Sequence, residues 1–438
     1  MTAPSIGSRR FAATALTLAA LSLALYVQQF DRQESYQFGN MVDLQVYRWG
    51  GTQVWHSTSN LYSEAFVMPF AYPPFAALVL ALPSLLTLQN MQWAMSAASI
   101  AALGWVCWTS WGWLGYREPA RRAGLAAATF AVALWLEPVQ QNLGFGQVNL
   151  VLLAFALADL ALPDRFRLKG IGVGLAASIK LTPVLFIVYL AVTRRFRAAA
   201  VASATFAATI AVSFAAIPTD AWKYWSGGLF QDSVDQSFMP NQSLHGAILR
   251  LNLASPTATH LLWDAAEAIV AVLGLYFAVR AHRRGDEYFA VMIVAFLSLL
   301  VSPISWTHHY VWMVPFLILA VHRCWLGGGA RRVWIPLLLT GAFLAWPMRI
   351  NTVGGYWDPH APLLATGLIW FLPHRGTGSA QDLHWNDYQA LAGNFYVFAA
   401  LFIVIVLPAW QLWKERRAAA TAPAKRPAPA QSATFSVF

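Results

Sequence analysis

Apolar runs cover roughly residues 11 to 28, 74 to 88, 92 to 114, 123 to 136, 148 to 162, 170 to 192, 198 to 217, 259 to 281, 288 to 301, 309 to 325, 333 to 347 and 391 to 412. A helix needs about 20 apolar residues to cross about 30 Å of hydrocarbon, so these runs predict an all-α integral membrane protein with about 10–12 transmembrane helices. Four runs (74 to 88, 123 to 136, 148 to 162 and 333 to 347) fall short of a full span at about 1.5 Å per residue. Kinked, tilted or re-entrant segments are expected among them. Polar segments lie at 29 to 73, 218 to 258, 302 to 309 and 348 to 390.

Basic residues set the expected orientation, because Lys and Arg accumulate in cytoplasmic loops. Twelve alternating spans starting from an inner N-terminus place Arg194, Arg195 and Arg197, then His282, Arg283 and Arg284, then Arg323, Arg331 and Arg332, and finally Lys414, Arg416 and Arg417 inside. The same alternation puts Arg117, Arg121 and Arg122, and Arg165, Arg167 and Lys169, outside, and Glu137 to Asn149 inside. The preferred alternative makes every basic loop cytoplasmic. It requires 170 to 192 to be a re-entrant pair of half-helices around Ser178-Ile179-Lys180-Leu181-Thr182-Pro183, and one earlier run not to span.

Phe11 to Val27 follows Arg9 and Arg10 and reads as an uncleaved first span, being long for a signal peptide with no small-residue cleavage site after it. Residues 1–417 are expected to form one membrane domain. The Ala/Pro-rich stretch 418–438 is expected to be a disordered cytoplasmic tail.

Composition agrees: 58% of residues are hydrophobic and 11% charged, far from an ordinary soluble chain. The net charge of +10 fits basic loops rather than a nucleic-acid surface, since no Lys/Arg cluster alternates with aromatics on a polar segment. Two cysteines, Cys107 and Cys324, exclude a disulfide framework and a thiolate metal site. Many of the 21 tryptophans sit at run ends, Trp113, Trp135, Trp225, Trp306 and Trp357 among them, where headgroups anchor amphipathic rings. There is no P-loop, dinucleotide fingerprint or H-E-x-x-H motif.

The candidate chemistry lies in the polar breaks. Asp43, within Met41-Val42-Asp43-Leu44-Gln45-Val46-Tyr47-Arg48, is a carboxylate near the membrane surface; it can serve as a general base, cap a helix or pair with Arg48. Pro69-Phe70-Ala71-Tyr72-Pro73-Pro74 offers the Tyr72 hydroxyl at a proline-stiffened helix start. From Glu137-Pro138 through Gln140, Gln141, Asn142, Gln147 and Asn149, a dense polar set interrupts two apolar runs, which points to a polar ligand or to mutual hydrogen bonding. Lys180 lies in the middle of an apolar run, where a lysine costs about 2.5–3.5 kcal/mol; a bound phosphate, or snorkelling to a headgroup, would offset this. Asn241-Gln242-Ser243 matches a glycosylation sequon and equally suits sugar hydroxyls. Arg250 can bind phosphate or anchor at the interface. His308 and His309 follow Trp306-Thr307, and adjacent helical residues diverge by about 100°, so at most one is expected in a shared site.

In this order, Val42-Asp43-Leu44 with Val46-Tyr47, Tyr72-Pro73-Pro74-Phe75-Ala76, Glu137-Pro138, Gly146-Gln147-Val148-Asn149-Leu150, Lys180-Leu181-Thr182-Pro183, Asn241-Gln242-Ser243 and Ser302-Pro303-Ile304-Ser305-Trp306-Thr307-His308-His309 resemble family 87 glycosyltransferases. These are membrane enzymes of the GT-C class. The likeness covers about residues 40 to 312 and is nearest to actinobacterial polyprenyl-phosphate-mannose-dependent α-1,2-mannosyltransferases that build phosphatidylinositol mannosides and lipomannan.

The resemblance implies a GT-C fold with a long first extracytoplasmic loop carrying the catalytic Asp43, and His308 or His309 near the donor phosphate. From the residue chemistry above, donor contacts are expected from Lys180, Tyr72, Glu137, Gln147, Asn149 and Arg250, and acceptor contacts from Asn241, Gln242 and Trp306. One departure is Phe238-Met239-Pro240, which separates Phe238 from Asn241 and bears on the acceptor. The implied reaction moves mannose from a polyprenyl-phosphate-mannose donor lipid to a mannosylated glycolipid acceptor in the bilayer, outside the cytoplasm and with inversion. No cofactor or metal is expected, no nucleic-acid partner, and a monomer. An arabinofuranosyltransferase shares these features. A secondary transporter or lipid flippase would also be polytopic with a midplane charge, but no internal duplication supports it. A purely structural membrane partner leaves Lys180 and the Glu137 to Asn149 cluster unexplained.

Overall fold

The computed structural model describes residues 8–33, 41–56, 61–62, 68–227, 236–326, 333–349, 360, 363–372 and 381–421. In chain order its helices are α1 Ser8–Gln33, α2 Val42–His56, α3 Pro74–Ala81, α4 Leu88–Trp113, α5 Pro119–Ala133, α6 Glu137–Phe145, α7 Asn149–Leu160, α8 Ile171–Ile179, α9 Val184–Val192, α10 Phe196–Ala216, α11 Pro218–Trp225, α12 Leu244–Leu249, α13 Pro256–Arg283 and α14 Glu287–Val301. There follow α15 Met313–Leu326, which continues a tight turn over Thr307–Trp312, then α16 Trp334–Phe343, α17 Asp387–Gly393, α18 Phe395–Leu401 and α19 Leu407–Thr421, the last two joined by a π-helical stretch. A small antiparallel pair, β1 Trp346–Arg349 and β2 Leu363–Thr366, lies after α16.

Local chemistry sets many of these boundaries. Prolines open α3, α5, α11 and α13, where a missing N–H costs nothing. Thr87 caps α4 by accepting from Asn90 N at 3.2 Å, meeting one of the N–H groups a helix start leaves free.

Among the described residues, five helical segments are long and apolar enough to cross a bilayer, or six if α6 and α7, bent by 119°, count as one broken span. That is fewer than the apolar runs, for two physical reasons. Helices such as α14 and α16 are apolar but short, and two runs do not continue as single helices. The run 74 to 88 breaks after α3 into a turn at Pro83–Leu85, and Arg48 Nε donates to Leu86 O at 3.2 Å, so this run stays beside α2.

The run 170 to 192 breaks at Lys180-Leu181-Thr182-Pro183 into α8 and α9. The contacts of α8 fix its direction along α10: Gly170 abuts Ala198 and Ala202, Gly174 abuts Ala202 and Thr205, and Thr209 Oγ1 donates to Ser178 Oγ at 2.7 Å. α9 then returns to the start of α10, and Arg197 bonds the carbonyls of Asp164 and Arg165. The pair therefore enters and leaves at one end, with Lys180 at its tip.

That end carries the basic clusters. α1 and α5 run parallel, with Gly124 against Phe11 and Ala12 and Ser22 Oγ donating to Ala131 O at 2.8 Å, so Arg9 and Arg10 share an end with Arg121 and Arg122. Tyr116 Oη meets His322 Nδ1 at 3.3 Å, Arg323 pairs with Asp286, and Arg195 and His282 both pair with Glu287. Arg280 and Arg284 pair with Glu415. The opposite end holds α2, α3, α6 and the 236 to 250 and 302 to 309 segments. Between the ends, α14 is buried from Tyr288 to Leu300 and forms the packing axis.

Helix α19 extends to Thr421, so the expected tail boundary at 417 falls inside a helix; residues 422–438 lie outside the described residues. So do Trp357 and parts of the polar segments 29 to 73, 218 to 258 and 348 to 390.

Candidate active site

α6 ends on Gly146, whose backbone is left-handed (φ 68°, ψ 35°). A Cβ there would stand 2.7 Å from Leu44 Cβ, so glycine supplies both the turn and the room for the α6–α7 corner to press on the first turn of α2. This contact brings Gln147 to Asp43, and Gln147 Nε2 donates to Asp43 Oδ2 at 2.6 Å. One helical turn on, the Tyr47 hydroxyl lies 2.7 Å from Gln147 Oε1 and 2.6 Å from the Tyr72 hydroxyl.

From Gln147 the network runs inward. Asn149 Nδ2 sits 3.4 Å from Gln147 Oε1 and donates to Asn142 Oδ1 and His308 O, each at 3.2 Å. Asn149 Oδ1 accepts from Lys180 Nζ at 2.8 Å, and Lys180 Nζ lies 2.8 Å from His309 Nε2. An ammonium only donates, so a charged Lys180 requires His309 Nε2 to accept and its proton to sit on Nδ1. His309 Nδ1 and His308 Nε2 are buried with no hydrogen-bond partner among the described residues.

Asp43, Tyr72, Gln147, Lys180, His308 and His309 all line one cavity of about 660 Å³. Most of its wall is apolar, including Val42, Met68, Leu181, Leu185, Val301, Trp306 and Trp370. Burial raises the Asp43 carboxyl above its ordinary range, opposed by the Gln147 hydrogen bond and the positive charge of Lys180. The cleft thus offers a base at one side, a cation with orphaned imidazole nitrogens at the other, and an apolar lining around both.

Comparison with known proteins decides what this geometry belongs to. The profile of glycosyltransferase family 87 matches residues 70–303. A Mycobacterium tuberculosis polyprenol-phosphate-mannose-dependent alpha-(1-2)-phosphatidylinositol mannoside mannosyltransferase is 31% identical over 389 residues, covering 83% of this chain and 84% of that protein. The chain belongs to glycosyltransferase family 87. A Mycolicibacterium smegmatis protein with the same description is 32% identical, over 84% of this chain and 83% of its own. A M. tuberculosis pentamannoside mannosyltransferase of the same donor dependence is 34% identical, over 83% of this chain and 80% of its own. No solved structure matches the chain.

In this family 87 glycosyltransferase the expected site residues divide into two groups. Asp43, Tyr72, Gln147, Lys180, Trp306, His308 and His309 line the cavity, and Asn149 stands directly behind Lys180. Both histidines face the cavity, against the expectation of one, because Thr307–Trp312 forms a tight turn at its floor, with the two rings edge to face at 4.8 Å.

The remaining four are off its wall. Glu137 is fully buried, bonding Tyr396 Oη at 2.5 Å and Trp370 Nε1 at 3.4 Å, so it fastens the C-terminal segments onto α6. Asn241 Oδ1 accepts from Ser305 N at 2.8 Å, and Gln242 Nε2 donates to Gly393 O at 2.7 Å. Both are fully buried, so Asn241 cannot take a glycan in the folded chain. Arg250 donates to Asn394 Oδ1 and to the carbonyls of Ser237, Phe238 and Asn241, which leaves it a brace. These four satisfy backbone and side chains that would otherwise be buried unpaired.

Sequence reasoning missed Tyr47 as a link in the network and Trp370 as wall. Tyr47 carried a signal, four residues after Asp43 and on the same helical face. Trp370 lies in a segment without a motif and stands in the cavity wall beside buried Glu137, to which its Nε1 donates.

Proposed function

We propose that this glycosyltransferase moves mannose from a polyprenyl-phosphate-mannose donor to a mannosylated phosphatidylinositol glycolipid, forming an α-1,2 linkage. The donor and acceptor classes follow the names of relatives matched along most of their length. The observation that carries the mechanism is the hydrogen-bond chain from Asp43 through Gln147 and Asn149 to Lys180 and His309 within one cavity.

In this reading Asp43 takes the proton of an acceptor hydroxyl as its oxygen attacks the anomeric carbon. The bond from that carbon to the phosphate oxygen breaks, with inversion from a β-linked donor to an α-linked product. The leaving phosphate monoester carries roughly 1.5 to 2 negative charges near pH 7. Lys180 and the free nitrogens of His308 and His309 meet that charge, so no metal or cofactor is required. The apolar wall takes the polyprenyl chain.

The basic clusters gathered at one end favour a cytoplasmic location for that end, which puts the cleft on the extracytoplasmic side. No nucleotide sugars are available there, and a lipid-linked donor fits. The chain works as a monomer, since one chain supplies every group named. The test combines purified protein with labelled polyprenyl-phosphate mannose and a phosphatidylinositol mannoside. Transfer to the glycolipid is the expected result. No mannose transfer but transfer from polyprenyl-phosphoryl arabinose supplied in a parallel reaction, or movement of the lipid without sugar transfer, would overturn it.

A further inference from the structure

We infer that a second anion site, at the basic end and remote from the cleft, takes the phosphate headgroup of an acidic membrane lipid. A cavity of about 290 Å³ is lined by Val192, Thr193, Arg194, Val279, His282 and Arg283, where the α9–α10 turn meets the last turn of α13.

Three observations converge on a phosphate ligand. Of the neighbouring arginines, Arg195 is matched to Glu287, Arg280 and Arg284 to Glu415, and Arg323 to Asp286, while Arg197 is held by the carbonyls of Asp164 and Arg165. Arg194 and Arg283, the two guanidinium groups that line the cavity, make no ion pair among the described residues. Arg194 also holds a left-handed backbone (φ 62°) just past the end of α9, where glycine or asparagine is the usual occupant. At that position arginine carries a guanidinium to the cavity that glycine or asparagine would not. Finally Arg195 is taken up by Glu287, Thr193 Oγ1 and the Tyr189 ring, and Glu287, the carboxylate nearby, is already engaged by Arg195, His282 and Tyr189.

The apolar rim selects a lipid over a soluble anion. Val192, 43% exposed on the outside of the bundle, and Val279 border the charged part, as a glycerol backbone and first acyl carbons require. Guanidinium groups fit phosphate oxygens in pairs, and an anionic leaflet supplies them at high local concentration. The site sits at the base of the re-entrant pair whose tip is Lys180, so an occupied site braces α9 against α13.

The experiment measures thermal unfolding of the purified full chain in neutral phosphatidylcholine nanodiscs and in discs containing phosphatidylglycerol or phosphatidylinositol. Inorganic phosphate is added to the neutral discs as a separate arm. The expected result is a rise in Tm with either acidic lipid, no rise with inorganic phosphate, and loss of the rise in Arg194→Gly and Arg283→Gln. Arg194→Gly relieves the backbone, so its Tm in neutral discs should equal or exceed the parent's, which separates loss of binding from misfolding. An unchanged lipid-dependent rise in both variants overturns the site, and an equal rise with inorganic phosphate overturns the lipid assignment. Donor-lipid binding is measured in parallel in neutral discs: if the mannosyl-transfer reading fails, the acidic-lipid response still stands or falls by itself.

Discussion

Gln147 Nε2 donates a 2.6 Å hydrogen bond to Asp43 Oδ2, and the other end of the same amide carries the Tyr47 hydroxyl. An amide N–H can only donate, so this bond orients the carboxylate and favours its charged form, while burial in the cleft wall disfavours it.

The sign of the pH effect follows. A base works only when ionised, and Asp43 is raised above the ordinary value of about 3.9. Transfer rate should therefore fall as pH drops through a midpoint above that value. In Gln147→Leu, which removes the opposing donor, the midpoint should move higher still. A pH–rate profile of both proteins checks this; a midpoint that moves down in the variant contradicts the assignment.

Asp43→Asn keeps the shape and removes the base. General-base catalysis contributes about 10²- to 10⁴-fold, so kcat should fall by that order while the donor still binds. Single-turnover transfer beside donor binding provides the check.

Lys180→Met keeps the length of the stem and removes the charge shared with Asn149 and His309. A hydrogen bond to a charged group is worth about 1.5–3 kcal/mol, so donor affinity should weaken by roughly tenfold or more with little change for the acceptor. Equal loss for both substrates would indicate a packing role.

Gly146→Ala places a Cβ 2.7 Å from Leu44 Cβ on a backbone with φ 68°. Such strain costs of order 1–3 kcal/mol. Either the α6–α7 corner retreats, pulling Gln147 from Asp43 and cutting kcat, or Tm falls; full activity at unchanged Tm would contradict the close approach.

Arg250→Met tests the brace. Losing a buried arginine leaves the carbonyls of Ser237, Phe238 and Asn241 short of a donor, at a cost of about 1–3 kcal/mol for each one left unpaired. Reduced yield and Tm are expected, with acceptor KM unchanged in the surviving protein.

Much of this architecture was legible in the chain. The re-entrant pair could be read because Lys180 and Pro183 interrupt an apolar run while basic residues flank both of its ends, and the structure places those ends together. Polar breaks marked the cleft through Asp43, Gln147, Lys180 and His309. What could not be read was which polar residues face the cavity and which brace it. Glu137, Asn241, Gln242 and Arg250 have the same chemistry as ligand-binding groups, and only tertiary packing shows them engaged elsewhere: Glu137 with Trp370 and Tyr396, Gln242 Nε2 with Gly393, Arg250 with Asn394, and Asn241 with Pro303 and Ser305. Trp370 was out of reach for the same reason, since its place depends on a contact with a residue more than two hundred positions away. Regular helical spacing predicts at most one histidine in the site, whereas the tight turn over Thr307–Trp312 brings both to the cavity.

The most direct test is a structure of the Asp43→Asn variant with the lipid-linked sugar bound. The sugar should lie in the cleft with its phosphate within about 3 Å of Lys180 Nζ and the anomeric carbon turned toward the position of the Asp43 carboxylate. A phosphate held elsewhere, or a sugar whose anomeric carbon faces away from residue 43, would contradict a shared catalytic cleft.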